Sequence, residues 1–287
     1  SYYKWDQWIF LQMYKKGLAY KKESPVNWCS KCESVLANEQ VEEGKCWRHS
    51  DTFVEVKNLN QWFFKITEYV EELNDFSKLD KWPQTIKTLQ KNWIGKSSGT
   101  TVTFEINKET FEVFTTRPDT IYGVTFLVIS AQHPKLDTLV TKEQSKQVQA
   151  LVKKLHGVSQ EQIDQLEKEG VFTGSYATHP LTKEKIPVYA GNFVLADYGS
   201  GMVMSVPAHD ERDFEFAKKY NLPIKQVIIP PEKNIDAKKL TKAYTQEGIL
   251  TNSEKFSGMN SEEAKIKITK ELEKKKLGKQ TINYRLR

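Results

Sequence analysis

Cys29-x-x-Cys32, a spacer of 13 residues and Cys46-x-x-His49 constrain this chain more tightly than any other feature. Two close pairs on two turns place four soft or borderline ligands tetrahedrally around zinc, and the spacer need only bring the second pair back to the first. Four protein ligands leave no open coordination position, so a zinc ion at Cys29, Cys32, Cys46 and His49 would hold structure rather than activate water. The same residues also read as three free thiols in a reducing compartment, with His49 an ordinary surface residue. An odd cysteine count in a chain of 287 residues argues against a disulfide scaffold.

Size and charge set the remaining bounds. With 38% hydrophobic and 28% charged residues the chain can bury a real core, as one main domain with smaller attachments. No apolar run approaches the roughly 20 residues needed to cross a bilayer, and Ser1 to Asp6 lack a charged region leading into an apolar stretch. The expectation is a soluble protein without membrane contact, cytoplasmic or organellar. Lys and Arg outnumber Asp and Glu by 43 to 37, and the resulting charge of +6 suits an anionic partner such as RNA.

Periodicity predicts the order of elements. Tyr3 to Lys16 reads as a helix apolar on much of its circumference, with Trp5, Trp8, Ile9 and Leu11, and Gly17 stands where it would stop. Gln61 to Phe76 and Thr85 to Trp93 read as helices parted by Trp82-Pro83. From Thr100 the period changes to two: Val102, Phe104 and Ile106 alternate with polar residues, as do Phe111, Val113 and Thr115, and Val124 to Ser130 is a nearly continuous apolar strand. A helix follows at Val148 to Leu155, then strands at Ile186 to Tyr189, Asn192 to Ala196, Gly201 to Val206 and Gln226 to Ile229. The lysine-rich run Lys265 to Lys279 reads as a solvated amphipathic helix. Together these predict a mixed α/β domain over about residues 96–280.

Two segments stand apart from this scaffold. Thr115-Thr116-Arg117-Pro118-Asp119-Thr120 leaves a predicted strand with three hydroxyls, a guanidinium and a carboxylate in six residues. Pro207-Ala208-His209-Asp210-Glu211-Arg212-Asp213 leaves another strand and opens a helix that Asp210 can cap. Both also read as polar turns, since capping alone accounts for Asp210. If both lie at one end of one sheet they line a cleft with Thr, Arg, Asp and His, where ligand sites tend to form.

These residues carry a resemblance. The Thr115–Thr120 motif, Gly201-Met202-Val203-Met204-Ser205-Val206-Pro207-Ala208-His209-Asp210 and Asn92-Trp93-Ile94-Gly95-Lys96-Ser97 resemble the editing insertion of class I aminoacyl-tRNA synthetases for branched aliphatic amino acids. Tyr2-Tyr3-Lys4-Trp5, Val26-Asn27-Trp28-Cys29, Leu36-Ala37-Asn38-Glu39-Gln40-Val41 and Lys45-Cys46-Trp47-Arg48 are similar to the leucyl type, in its bacterial or organellar form. The resemblance runs over essentially the whole chain. Many such relatives have a fourth cysteine where this chain has His49. The chain carries neither the paired-histidine nor the lysine-serine signature that grips ATP in these enzymes.

The resemblance implies a β-barrel-like editing domain with surrounding helices, within the mixed α/β class, beside a small zinc-ribbon-like region and flanking helices. The implied boundaries are 1–28 for a flanking helical segment of the parent catalytic region and 29–57 for the zinc knuckle. Residues 58–95 would be a helical connector, 96–280 the editing domain and 281–287 a return strand. The implied activity is post-transfer editing: hydrolysis of the ester in tRNA(Leu) mischarged with norvaline, isoleucine or methionine, with leucine excluded and no cofactor required for the hydrolysis. A leucine pocket gains only about 1–3 kcal/mol from one methylene, so a second sieve is needed. The implied partners are the acceptor end of tRNA(Leu) and the remainder of the parent synthetase, with the chain a monomer.

Roles follow from the same resemblance. Asp213 would hold the substrate ammonium, which a carboxylate recognises by a charge-assisted bond. Thr120 would block leucine's γ-methyls, with Met204, Val206 and Tyr198 as further walls of the pocket. Thr115, Thr116 and Arg117 would position the water, the ester or the terminal adenosine, and Asp210 with Arg212 would orient that shell. His209, counted with the substrate-binding residues, is a loop histidine before a helix and reads better as a hydrogen-bonding scaffold than as a general base. Two other functions fit the same residues: a tRNA-end-binding module without catalysis, and an editing domain of valyl or isoleucyl type.

Overall fold

The computed structural model describes residues 1–42, 44–155, 163, 166–194, 200–231 and 240–286. Tyr198 and the last two residues of the strand expected at Asn192 to Ala196 lie outside them. The described residues form two compact units, one built on Ser1–Lys96 with residues 284–286, the other on Ser97–Leu155 and residues 163–283.

The first unit opens with α1 (Tyr3–Lys15). Gly17, at φ +70°, ends it as expected: its N–H bonds Tyr14 O at 2.9 Å and the Leu18 N–H bonds Met13 O at 2.9 Å, the paired bonds of a left-handed helix stop. Then come β1 (Ala19–Cys29), β2 (Ser34–Leu36), β3 (Val41–Glu42), β4 (Lys45–Cys46), β5 (His49–Phe53), β6 (Glu55–Phe64), α2 (Val70–Asn74) and α3 (Gln84–Ile94). Strands β2, β1 and β6 form one antiparallel sheet and β3, β4 and β5 a second.

One expectation fails here. Gln61 to Phe64 are not helical; they end β6, paired antiparallel from Ala19↔Phe64 to Trp28↔Glu55. Their aromatic side chains find partners across the sheet and on α1, with Tyr20 and Phe63 at 5.9 Å and Phe10 and Trp62 at 5.0 Å between ring centroids. Aromatic residues favour a pleated, half-buried surface, and a long pairing partner decides between two periods that a short apolar run leaves open. Within Gln61 to Phe76, α2 is the only α-helix. The helix at Thr85 to Trp93 is α3, and it stops at Gly95 with φ +58°.

The second unit contains β7 (Ser97–Ile106), β8 (Glu109–Thr115), β9 (Phe126–Ser130), α4 (Ser145–Leu155), β10 (Gly170–Thr178), β11 (Lys185–Gly191), β12 (Met202–Ser205), α5 (Glu211–Lys219), β13 (Ile228–Ile229), β14 (Ile249–Leu250), α6 (Ser261–Lys274) and β15 (Gly278–Asn283). Its main sheet runs β12-β9-β11-β10-β7-β15, with β8 also on β7. Only β9 and β11 pair in parallel. The mixed α/β class is the one expected, and among the described residues the path of strands does not close into a barrel.

Burial follows the alternation. Val102, Phe104, Ile106, Phe111 and Val113 are buried, and every residue of β9 is buried. Gly99 lets β7 approach β8: a Cβ there would stand 2.2 Å from Thr115 O, so the strand end that launches the Thr115 loop needs a glycine opposite it. Phe216 of α5 stacks on Phe126 of β9 at 5.2 Å within a cluster that includes Val128 and Ala217. Burying each such ring contributes roughly 1.5–3 kcal/mol, and that packing fixes the helix carrying Asp213.

Three boundaries differ from the periodicity. Asn192 to Val194 form no strand; the Asn192 side chain instead accepts from Glu169 N and donates to Glu167 O, both at 2.9 Å. Strand β10 is unforeseen because Gly174 and its bulge interrupt the alternation. Helix α6, expected over Lys265 to Lys279, begins at Ser261, capped by Asn260, and ends at Lys274; Lys276 takes the left-handed φ of +56° and Gly278 opens β15.

Candidate functional site

In the first unit the chain assembles Cys29, Cys32, Cys46 and His49, whose ligand atoms all lie within 4.8 Å of one another. Cys29 ends β1, Cys46 lies in β4 and His49 opens β5, so the two short sheets deliver the two pairs. Tetrahedral zinc with Zn–S near 2.3 Å and Zn–N near 2.0–2.1 Å requires S···S edges of about 3.8 Å and S···N edges of about 3.5 Å. Here Cys32 Sγ and Cys46 Sγ are 3.7 Å apart, and His49 Nδ1 lies 3.7, 3.3 and 3.8 Å from the sulfurs of Cys29, Cys32 and Cys46. The Cys32 backbone N–H also points at Cys29 Sγ, at 3.4 Å.

The donor set fits a soft dication electrostatically as well. Burial, then the hydrogen bonds that its S–H donates to Cys46 and Cys29, push the Cys32 thiol up to about 11, whereas Cys46 sits down at about 6, burial being outweighed by the Arg48 N–H and the His49 ring. Neighbouring thiols resist ionising together, and a bound cation removes that conflict. The cluster can therefore hold a metal ion.

In the second unit the two polar loops are joined through the backbone. Arg117 grips the fully buried Asp119 with its Nε at 3.0 Å and Nη2 at 2.9 Å, and its Nη1 donates to Thr245 O at 2.9 Å. His209 Nδ1 donates to the neighbouring carbonyl, Tyr244 O, at 2.9 Å, and the Tyr244 N–H returns to Ala208 O at 2.8 Å. Successive carbonyls at 244 and 245 thus take one donor from each loop. Among the described residues no hydrogen bond runs directly from Thr115, Thr116 or Thr120 to residues 204–213.

Apart from Tyr198, which lies outside the described residues, each predicted residue has a definite place. Thr115 Oγ1 accepts from Arg117 N at 3.0 Å, and Thr116 is exposed. Thr120 is 1% exposed, and its hydroxyl donates to Arg117 O at 2.8 Å, which fixes the direction of its methyl. Met204 and Val206 are buried. Asp210 caps α5 by accepting from Arg212 N at 2.9 Å and Asp213 N at 3.2 Å, with Arg212 Nη2 at 3.2 Å from its other oxygen. Asp213, buried in the first turn of α5, accepts from Val206 N at 2.8 Å. Its carboxyl is pushed up to about 7 by burial and then by the charge of Asp210.

His209 has both ring nitrogens committed. Since Nδ1 donates to a carbonyl, Nε2 is the acceptor, and it takes the N–H groups of Val227 at 3.0 Å and Ile228 at 3.2 Å. Burial holds its pKa down at about 4, so the ring is neutral and has no lone pair left for a substrate.

Sequence reasoning missed the supporting groups. His179, buried, donates from Nε2 to Ile121 O at 2.9 Å and so braces the Pro118–Gly123 turn from behind. The joint at Tyr244 and Thr245 uses only their backbone groups, which leave no side-chain signature. Asp119 stood in the motif, but its burial under Arg117 did not follow from spacing.

Residues 91–273 match the family described as leucyl-tRNA synthetase, editing domain, and residues 2–102 match class I tRNA synthetases (I, L, M and V). The chain is 53% identical to a leucine–tRNA ligase of Geobacter sp. (strain M21), 52% to that of Petrotoga mobilis and 50% to that of Thermotoga maritima, in each case over 100% of this chain and 35% of the relative. It thus spans about a third of those enzymes. A crystal structure of the ternary complex of Agrobacterium radiobacter K84 agnB2 LeuRS-tRNA-LeuAMS matches with a TM-score of 0.70 and 32% identity, over 98% of this chain and 32% of that one. Because both polar loops and the backbone joint between them lie inside the matched residues 91–273, the chain belongs to the editing-domain family of leucyl-tRNA synthetase.

Proposed function

We propose that the second unit hydrolyses the ester of tRNA(Leu) carrying a non-cognate amino acid, norvaline, isoleucine or methionine, and leaves leucyl-tRNA(Leu) intact. The observation that carries this is the joining of the Thr115–Thr120 and His209–Asp213 loops through carbonyls 244 and 245, beside a buried carboxylate on Asp213. Asp213 takes the substrate ammonium. Arg117 keeps N–H donors beyond those spent on Asp119 and Thr245, and with Thr115 and Thr116 it positions the ester, the terminal adenosine or the water. Asp210 and Arg212 set the start of α5, and Met204 and Val206 wall the pocket. Water's oxygen bonds to the carbonyl carbon, the ester C–O bond breaks and the ribose oxygen leaves with a proton. His209 braces the loop and takes no proton in this scheme.

The four-residue cluster of the first unit is the structural zinc site, holding two turns together without touching the reaction. The whole relatives bear the name leucine–tRNA ligase, so the remainder of such a synthetase is the proposed partner, holding the tRNA body. The cytoplasm, or an organelle, is the proposed location.

The test is deacylation of norvalyl-tRNA(Leu) by this chain. Release of norvaline with leucyl-tRNA(Leu) spared is the expected result; tight tRNA binding with no turnover at high protein concentration would leave a binding module instead. Thr120→Ala separates the leucyl from the valyl or isoleucyl assignment. The locked Thr120 methyl is a rigid wall, and removing it should admit the larger side chain, so that leucyl-tRNA(Leu) deacylation rises by about 10- to 200-fold, the range one methylene commands in such pockets. Unchanged leucyl-tRNA(Leu) under Thr120→Ala would move the sieve elsewhere.

A further inference from the structure

We infer that a lysine-lined groove between α6 and residues 255–259 is a second RNA contact, taking the phosphodiester backbone of the strand whose end enters the Thr120–Asp213 site. The inference rests on the proposed tRNA substrate. The groove has a volume of about 350 Å³. It is lined by Phe256 and Met259 and by the side chains of Lys255, Lys267, Lys270, Lys274 and one acidic residue, Glu271.

The pairing of those charges is uneven. Glu271 is already bound to Lys255 at 2.9 Å and to Lys275 at 3.2 Å, and Lys267 is bound to Glu263 at 2.5 Å. Lys265, outside the groove, has Glu247 at 2.7 Å and Glu262 at 2.6 Å. Lys270 and Lys274, one helical turn apart and both exposed or nearly so, have no carboxylate in ion-pair range among the described residues. A helix that pairs its other lysines yet leaves two like charges stacked at i and i+4 has retained a repulsion that a polyanion would relieve.

Position selects the occupant. Phe256 in the groove lining packs on Tyr122 at 6.1 Å, and the Tyr122 hydroxyl donates to Glu254 at 3.3 Å. Tyr122 stands two residues beyond Thr120 in the same buried turn, so the groove packs against the element that carries Thr120. A strand that places its terminal nucleotide at Thr120 and Asp213 ends on that element. An apolar lining edged by lysines suits ribose and phosphate, whereas sequence-specific readout would need paired donors and acceptors that the groove lacks.

The experiment measures the affinity of the chain for uncharged tRNA(Leu) from about 50 to about 200 mM salt, the range over which phosphate contacts are lost. Lys270→Gln with Lys274→Gln should raise Kd on the order of tenfold at the low-salt end and reduce the slope of log K against log salt by about 1.4, two single-strand phosphates at roughly 0.7 each. Lys270→Arg with Lys274→Arg should bind like the unaltered chain. Lys142→Gln with Lys146→Gln, which removes two exposed charges elsewhere on the second unit, should change neither quantity. Saturated kcat on norvalyl-tRNA(Leu) should be unchanged in the glutamine pair. Equal Kd and slope in the glutamine pair, or equal losses in the Lys142 and Lys146 control, overturns the inference. A chain that loses tRNA through Lys270 and Lys274 but never deacylates would sink the hydrolase and leave this contact standing.

Discussion

Asp213→Ala should lower kcat/KM for norvalyl-tRNA(Leu) by about 30-fold to several thousandfold, the equivalent of roughly 2–5 kcal/mol for truncating one partner of a buried charge pair. The size follows from the site. Asp213 is buried and takes one backbone donor, Val206 N at 2.8 Å, so an entering ammonium finds a carboxylate that water screens poorly. Free, that carboxyl sits at about 7 because burial and Asp210 disfavour its charge. Capture requires Asp213 ionised and the substrate amine, near 7.7–8.0 in an ordinary α-amino group, protonated. The kcat/KM profile should therefore be bell-shaped, rising towards pH about 7 and falling beyond about 8. In Asp213→Asn the rising limb should vanish.

Stability supplies an independent sign. The folded pKa of Asp213 lies above its ordinary 3.8, so ionisation costs the folded state more than the unfolded one. The penalty is absent below about pH 3.8, grows as pH rises and is complete above about 7. Asp213→Asn keeps the acceptor for Val206 N and removes the charge. It should raise Tm at pH 8 and leave it nearly unchanged at pH 3. A variant that loses activity while gaining stability at high pH identifies a group kept for binding; full deacylation activity in Asp213→Ala would end its assignment to the ammonium.

The parts legible in the sequence are those where local chemistry and global packing agree. Val124 to Ser130 reads as a buried strand because a continuous apolar run has no solvent face, and β9 is buried on both sides. Asp210 reads as a cap because Asp before an amphipathic run satisfies free N–H groups, and it does so at Arg212 and Asp213. Gln61 to Phe64 fail because their partner, Ala19 to Lys22, lies some 40 residues away and only the pairing decides the period. The two loops were legible as segments of dense polarity. Their joining was not, because Tyr244 and Thr245 contribute only backbone groups, which carry no side-chain signature. His209 reads from the sequence as a hydrogen-bonding scaffold rather than a base, but which groups it braces, the Val227, Ile228 and Tyr244 backbone, only the fold supplies.

Metal removal should unfold part of the first unit and spare the sheet of the second. The apolar cluster around the four ligands contains only Cys29, Leu36, Cys46 and Val54, with Cys32 and Val41 against it. Two of the three strands beside it, β3 and β4, are two residues long. Such a core is too small to order the segment alone, whereas a structural zinc ion in a small domain contributes on the order of 10–16 kcal/mol. The purified chain should therefore carry about one equivalent of zinc by atomic absorption. A strong chelator, or Cys46→Ser, should erase amide-exchange protection across residues 29–53 and leave it intact in β9 and β11, where Leu127, Val128, Ile129 and Val188 are fully buried without help from a metal. His49→Cys, which keeps four ligands and replaces imidazole by thiolate, should retain the metal and the protection. Unchanged protection after complete chelation would mean that Cys29, Cys32, Cys46 and His49 pack as ordinary side chains, and the spacing that so constrains the sequence would then reflect packing rather than coordination.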